Sequence, residues 1–162
     1  MDNKALELTR KAIEEAAQTG VFLVAGGNAM TLGWSMAGIM WTKQVFMAPV
    51  RTSRHTHALL EQAGEFAICV PRTGEMKEAL AVCGTKSGRD MDKIKTLNLS
   101  MIPGKAIATQ RIAGCALYIE CRILSKTDMD LNKTDKEVCA SWYAGDSEHT
   151  LYFGEIIAAY EE

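Results

Sequence analysis

The chain has 162 residues, of which 48% are hydrophobic, enough to bury one core and too few to suggest two domains. Eighteen basic and 20 acidic residues leave a net charge of -2, which supplies no broad basic field for nucleic acid and no polybasic anchor for a membrane surface. The polar start Met1-Asp2-Asn3-Lys4 lacks the apolar stretch of a secretory signal, and no apolar run approaches the roughly 20 residues that span a bilayer. The expectation is a single cytoplasmic domain over residues 1–162.

Residues 3 to 19 place Ala5, Leu8, Ala12, Ile13 and Ala16 at helical spacing, and Gly20 stands ready to end that N-terminal helix. Val21 to Val24 then reads as a strand, Gly26-Gly27-Asn28 as a tight turn, and Met30 to Trp41 as an extended segment. Val45 to Val50 is another strand, in which Pro49 lacks an amide donor and so favours an edge or a bulge. Thr52 or Ser53 is placed to cap a helix that runs to Ala63 and stops at Gly64, after which Glu65 to Val70 resumes a strand. Thr73 is placed to cap a short helix ending at Gly84, and Asp90 to cap one from Met91 to Leu97. From Cys115, alternate residues through Ile123 are apolar while Tyr118, Glu120 and Arg122 interleave, so one face of a strand belongs to the core. Lys126 to Asp135 reads as an exposed charged loop, and His149 to Ala159 as a closing strand. Strands gather at both ends with short helices between them, unlike the alternation of a parallel sheet. A mainly β protein, an antiparallel β-barrel with peripheral helices, fits this order.

Five cysteines, Cys69, Cys83, Cys115, Cys121 and Cys139, are an odd number without metal-ligand spacing. Cys115 and Cys121 lie roughly 20 Å apart on one extended run, beyond the reach of a disulfide. Reduced thiols are expected, and no metal site. His55 and His57 diverge on a helix, and the solitary His149 reads as structural.

Three clusters carry chemistry. Arg51-Thr52-Ser53-Arg54-His55-Thr56 lies where a strand gives way to a helix, so unpaired amides, the helix dipole, guanidiniums and hydroxyls converge on one place. Such a place suits an anion, although a capped helix with solvated arginines has the same composition. Cys83-Gly84-Thr85-Lys86-Ser87-Gly88-Arg89-Asp90 is a second glycine-bearing loop with two cations, and its spacing is not that of a nucleotide phosphate loop. On its own it reads equally as a turn at Gly88 and a cap at Asp90. The third run, Asn28-Ala29-Met30-Thr31-Leu32-Gly33-Trp34-Ser35, combines backbone amides, a hydroxyl and a large ring beside flexible thioethers. That mixture suits a flat aromatic ligand or a stretch of core.

These three runs, in this order, together with Gly64-Glu65-Phe66, the strand Cys115 to Arg122 and the terminal His149-Thr150-Leu151-Tyr152-Phe153-Gly154-Glu155-Ile156, resemble the flavin reductase family and its flavoredoxin-like members. The resemblance runs from about residue 20 to the end. It implies an FMN-binding split β-barrel that forms a homodimer, with FMN near the subunit interface. Carried onto matching positions, Met30, Thr31, Leu32, Gly33 and Trp34 would line the isoalloxazine and ribityl chain. Arg51, Ser53, Arg54 and Thr56 would hold the phosphate, and Lys86 and Ser87 would approach from the second loop. The family pattern differs here at the abbreviated Gly26-Gly27 turn and at Ala48-Pro49, where many relatives have a Pro-Pro pair. The resemblance further implies hydride transfer from NADH or NADPH to the flavin, with the cofactor carrying the chemistry and no catalytic side chain required. A flavoredoxin-like electron carrier that serves a partner protein, and a flavin-binding dimerisation module without redox activity, are the alternatives.

Overall fold

A computed structural model describes residues 3–162; Met1 and Asp2, which open the polar start, lie outside the described residues. Helix α1 (Asn3–Gln18) is followed by strands β1 (Val21–Ala25), β2 (Asn28–Leu32), β3 (Met36–Met40) and β4 (Lys43–Arg51). Helix α2 (His55–Ala63), strand β5 (Glu65–Val70) and helices α3 (Lys77–Thr85) and α4 (Lys93–Thr96) come next. Two short strands, β6 (Met101–Ile102) and β7 (Arg111–Ile112), precede the long β8 (Leu117–Asp128), helix α5 (Lys136–Trp142) and β9 (His149–Glu161).

Seven strands form one sheet in the order β2-β1-β5-β8-β9-β4-β3, with every neighbour antiparallel. The protein is therefore mainly β, with helices around a large antiparallel sheet. Its two edge strands, β2 and β3, have no ladder between them among the described residues. The sheet nevertheless curls: Leu32 of β2 shares one buried cluster with Phe46, Ala48 and Val50 of β4, far along the strand order.

Both faces of β1 and β5 are covered, which explains why Val21 to Ala25 is apolar throughout rather than alternating. On one face Leu23, Phe66, Ile68 and Ile119 pack against Leu8, Ala12 and Ala16 of α1. On the other, Phe22, Val24, Cys69 and Tyr118 pack against Leu80 and Cys83 of α3. Hence β8 does not keep one solvated face, as its alternation suggests. Glu120 is fully buried under the segment before β7, where its carboxylate accepts the amides of Lys105 and Ala106 and the Tyr160 hydroxyl. A buried charge persists when its oxygens are so satisfied.

Gly26 and Gly27 both take positive φ, the requirement of the two-residue turn that best joins antiparallel strands. Pro49 sits past the end of β3, where β4 is paired only with β9, so a residue without an amide donor leaves no partner unserved there. The expected extended run from Met30 to Trp41 is broken at 33–35, and β3 turns back into β4 at Trp41-Thr42.

The helix starts also differ from expectation. Arg54, not Thr52 or Ser53, occupies the capping position of α2, and it makes no side-chain cap. Met76 holds that position at α3 instead of Thr73, whose hydroxyl donates to Glu15. At α4 the cap is Asp92 rather than Asp90, its carboxylate accepting the Lys95 amide. The charged segment expected as a loop from Lys126 begins inside β8 and leads into α5, a helix absent from the sequence reading.

The cysteines are unpaired, four of them buried. Burial pushes the Cys115 thiol up to about 12 and raises that of Cys69 further, so both are inert protonated thiols at neutral pH. No described helix is long and apolar enough to cross a membrane.

Candidate functional site

A cleft of about 570 Å³ opens between β2, the start of α2 and the loop from Gly84 to Lys93. It gathers all three sequence clusters. Met30, Thr31, Leu32, Gly33 and Trp34 form one wall; Arg51, Ser53, Arg54 and Thr56 form a second; Lys86 and Ser87 lie on a third. Residues outside that set also line it, among them Arg89, Lys93, Trp142 and His149.

The wall from β2 exists because the hairpin returns β2 along β1 and the chain then leaves the sheet at Gly33. Trp34 is half-exposed there, and its ring meets Trp142 edge-on at 4.9 Å and the His149 ring at 5.3 Å. The Thr31 hydroxyl donates to the Leu80 carbonyl at 2.6 Å, so toward the cleft it can only accept.

The second wall is a strand end running into a helix. In the first turn of α2 the amides of His55 and Thr56 have no acceptor among the described residues, and the helix dipole points its positive end the same way. Asn28 donates to the buried Thr56 hydroxyl at 2.9 Å, fixing that side chain and leaving its own proton available.

Arg51 behaves differently. Its guanidinium donates to the Ser147 carbonyl at 2.6 Å and the Trp142 carbonyl at 2.8 Å, and it lies over the Tyr143 ring. Arg51 thus lines the cleft but fastens residues 142–147 against β4. Nearby, the Ser53 hydroxyl donates to Asp146 at 2.9 Å, and Arg54 reaches the other oxygen of the same carboxylate at 3.3 Å. Burial acts to raise the Asp146 carboxyl, but the Ser147 amide, the Ser53 hydroxyl and the two guanidiniums outweigh it and hold it below its ordinary range.

The third wall packs closely on the second. A Cβ on Gly88 would fall 2.5 Å from the Asn28 side-chain oxygen and 2.7 Å from the His55 ring, so only glycine admits this approach. Arg89 secures it by donating to the Ser53 carbonyl at 3.0 Å. Lys93 at the head of α4 is 3% exposed, yet among the described residues its ammonium has no carboxylate and reaches only the Cys83 carbonyl at 3.5 Å. Desolvation lowers its pKa, with the Cys83 thiol opposing and Arg54 adding to that shift.

His149, expected to be structural, is buried at the cleft wall. Desolvation, reinforced by the Arg51 and Arg54 charges and opposed by Asp146, holds its pKa down at about 4. It is a neutral imidazole at neutral pH, with Nδ1 2.8 Å from the Tyr143 hydroxyl.

The lining carries five cations, Arg51, Arg54, Lys86, Arg89 and Lys93, and one carboxylate, Asp90. In a chain of net charge -2 this is a local concentration of positive charge beside an aromatic wall. Lys93 ends the run from Cys83 that resembles the family but was given no site role, and Trp142 escaped the sequence reading because α5 has only seven residues, too few for a periodic signal.

Fold and cleft together define a curled antiparallel sheet protein with a positively charged cleft beside an aromatic wall. The sequence matches the family described as "Flavin reductase like domain" over residues 15–162, and the chain belongs to that family. It is 29% identical over 140 residues to a protein of Archaeoglobus fulgidus, covering 84% of this chain and 68% of that protein. The fold is similar to a flavoredoxin from Methanosarcina acetivorans, with a TM-score of 0.68, 26% identity and coverage of 89% of this chain and 69% of that one. It is also similar to an NADH:FAD oxidoreductase of Streptomyces globisporus, with a TM-score of 0.65, 20% identity and coverage of 100% and 86%.

Proposed function

We propose that the cleft binds FMN and that the protein is an FMN oxidoreductase accepting a hydride from NADH or NADPH. The observation that carries this reading is the excess of five cations over one carboxylate next to the Trp34 wall. The residues present fit the group. Arg54, Lys93, Lys86, the Ser53 and Thr56 hydroxyls and the first amides of α2 suit a phosphate dianion. Met30, Leu32, Gly33 and Trp34 suit an isoalloxazine and ribityl chain, with the Thr31 oxygen able to accept one hydrogen bond from the ligand. Ser87, whose hydroxyl accepts the Arg89 amide, shapes the second loop around that chain. Arg51 acts indirectly, by holding the 142–147 segment that carries Trp142.

Bound there, the flavin would supply the hydride and electron transfer. The protein's own work is to bind it, orient it and surround it with groups that do not exchange protons at neutral pH. His149, with a pKa near 4, is such a group. No side chain is assigned a catalytic role.

Sharing of one core cluster by β2 and β4 supports reading the sheet as a split barrel and the chain as one domain. Strand β3 supports a homodimer with the cofactor near its interface: it is an edge strand exposed along its whole length, and Met36, Ile39 and Met40 on it are apolar. A cytoplasmic location is part of the same proposal, in keeping with five cysteines that form no disulfide.

Anaerobic mixing of FMN-loaded protein with NADH or NADPH tests the enzyme reading. Loss of the oxidised flavin absorbance with either nicotinamide is the expected result. The similarity to a flavoredoxin favours a second reading, an electron carrier for a redox partner protein. Absorbance unchanged by both nicotinamides, but lost on adding a reduced partner protein, would select the carrier.

A further inference from the structure

Two donors that face the cleft are already engaged by this chain. Asp146, on the turn between α5 and β9, is not itself part of the lining. Its Oδ1 accepts the Ser53 hydroxyl at 2.9 Å and the Ser147 amide at 2.7 Å. Its Oδ2 lies 3.3 Å from Arg54 Nη2 and 3.5 Å from Arg51 Nε. The carboxylate thus collects a hydroxyl, an amide and two guanidiniums, the donor set that a phosphate oxygen would take.

We propose that Asp146 is an internal competitor for the anionic group of the ligand and thereby sets how strongly the cleft prefers a phosphorylated ligand over its unphosphorylated counterpart. The proposal deepens the FMN reading and rests on it for the flavin arm of its test only.

The exchange needs a side-chain movement and not an opening of the turn. Around Asp146 the backbone is pinned: Arg51 holds the carbonyls of Trp142 and Ser147, the Thr52 amide donates to the Glu148 carbonyl, and the Ser53 amide donates to Ser147 Oγ. The Asp146 side chain is 34% exposed, so it borders water into which it can turn. Arg54, 49% exposed, is free to follow a ligand. When a phosphate arrives, Ser53 and Arg54 exchange one anion for another, and Asp146 is solvated. Only ligands carrying the anionic group bear the cost of that exchange. A ligand that lacks it leaves the Asp146 contacts intact.

A contact of one charged hydrogen bond keeps the receptive arrangement at about a tenth of the population, which weakens apparent affinity by about tenfold. In Asp146→Asn, which keeps a hydrogen-bonding side chain without the charge, the FMN dissociation constant is expected to fall by about tenfold. That for riboflavin should change by less than about twofold. Asp146→Ala, which removes the acceptor altogether, should act in the same direction. Flavin fluorescence quenching reads both constants. An unchanged or weaker FMN affinity in both variants, with FMN still bound by the unmodified protein, would overturn the proposal. Inorganic phosphate supplies a second arm that involves no flavin. At equal concentration it should raise the melting temperature of Asp146→Asn more than that of the unmodified protein, and an equal or smaller rise would also overturn it. If neither flavin binds but the phosphate difference appears, the competition stands and the FMN reading falls.

Discussion

The two basic flanks of the cleft use their charges differently. On the Arg51–Thr56 side, each guanidinium has an acceptor within the chain: Arg51 holds the turn before β9, and Arg54 shares Asp146 with Ser53. On the Gly84–Lys93 side Arg89 is held by the Ser53 carbonyl, but among the described residues Lys86 has no ion pair and Lys93 is buried without a carboxylate. A satisfied cation is evidence of assembly first. A desolvated cation with no counter-ion is a cost that a ligand can offset.

The largest effect should come from breaking the satisfied flank. Arg51→Ala removes two charged hydrogen bonds to backbone carbonyls and is expected to lower unfolding stability by about 3 kcal/mol, measured by urea denaturation. A loss below about 1 kcal/mol would mean that the 142–147 segment does not depend on it. The same flank should be acid-sensitive. His149 has a pKa near 4 in the folded protein against an ordinary value of 6.5, so the unfolded chain binds the extra proton between those limits. Its contribution is present above pH 6.5 and is lost as the pH falls from there through about 4, by up to about 3 kcal/mol. His149→Gln should flatten the dependence of melting temperature on pH across that window.

On the other flank the effects should appear in binding and not in stability. Lys93→Met removes a buried, unpaired charge while keeping most of the side-chain volume. It should leave stability unchanged or raise it, and weaken FMN binding by about 1.5 to 3 kcal/mol, roughly 10- to 150-fold. A stability loss with unchanged FMN affinity would reverse the distinction between the flanks. Lys86→Ala, at an exposed position, should cost less than about 1 kcal/mol of FMN affinity, and the loss should shrink further as salt is added.

The contrast between the flanks also explains what the sequence disclosed. Contiguous runs such as Met30 to Trp34 and Arg51 to Thr56 announced themselves because each places chemistry on neighbouring residues, and the fold gathers them into one cleft. The Gly26-Gly27 turn was legible because glycine takes positive φ freely. The equivalent turn at Trp41-Thr42 was not, since Trp41 at φ 51° and Thr42 at φ 59° are residues that seldom adopt it. Helix α5 has only seven residues and buries none of them, too short a run for its Val138, Cys139 and Trp142 to register as a periodic pattern. Glu120 looked like a solvated position until loop amides were found to cover it. Asp146 is the clearest case. Its role depends on four donors from residues 51, 53, 54 and 147, most of them about 90 positions away, and no local pattern records that meeting.

Binding of FMN to this cleft through its phosphate is most directly tested by titrating the protein with FMN and with riboflavin while following flavin fluorescence. FMN is expected to bind at least about tenfold more tightly, the difference that one charged hydrogen bond to the phosphate would produce. Equal affinity for the two flavins, or no binding of FMN, would contradict it.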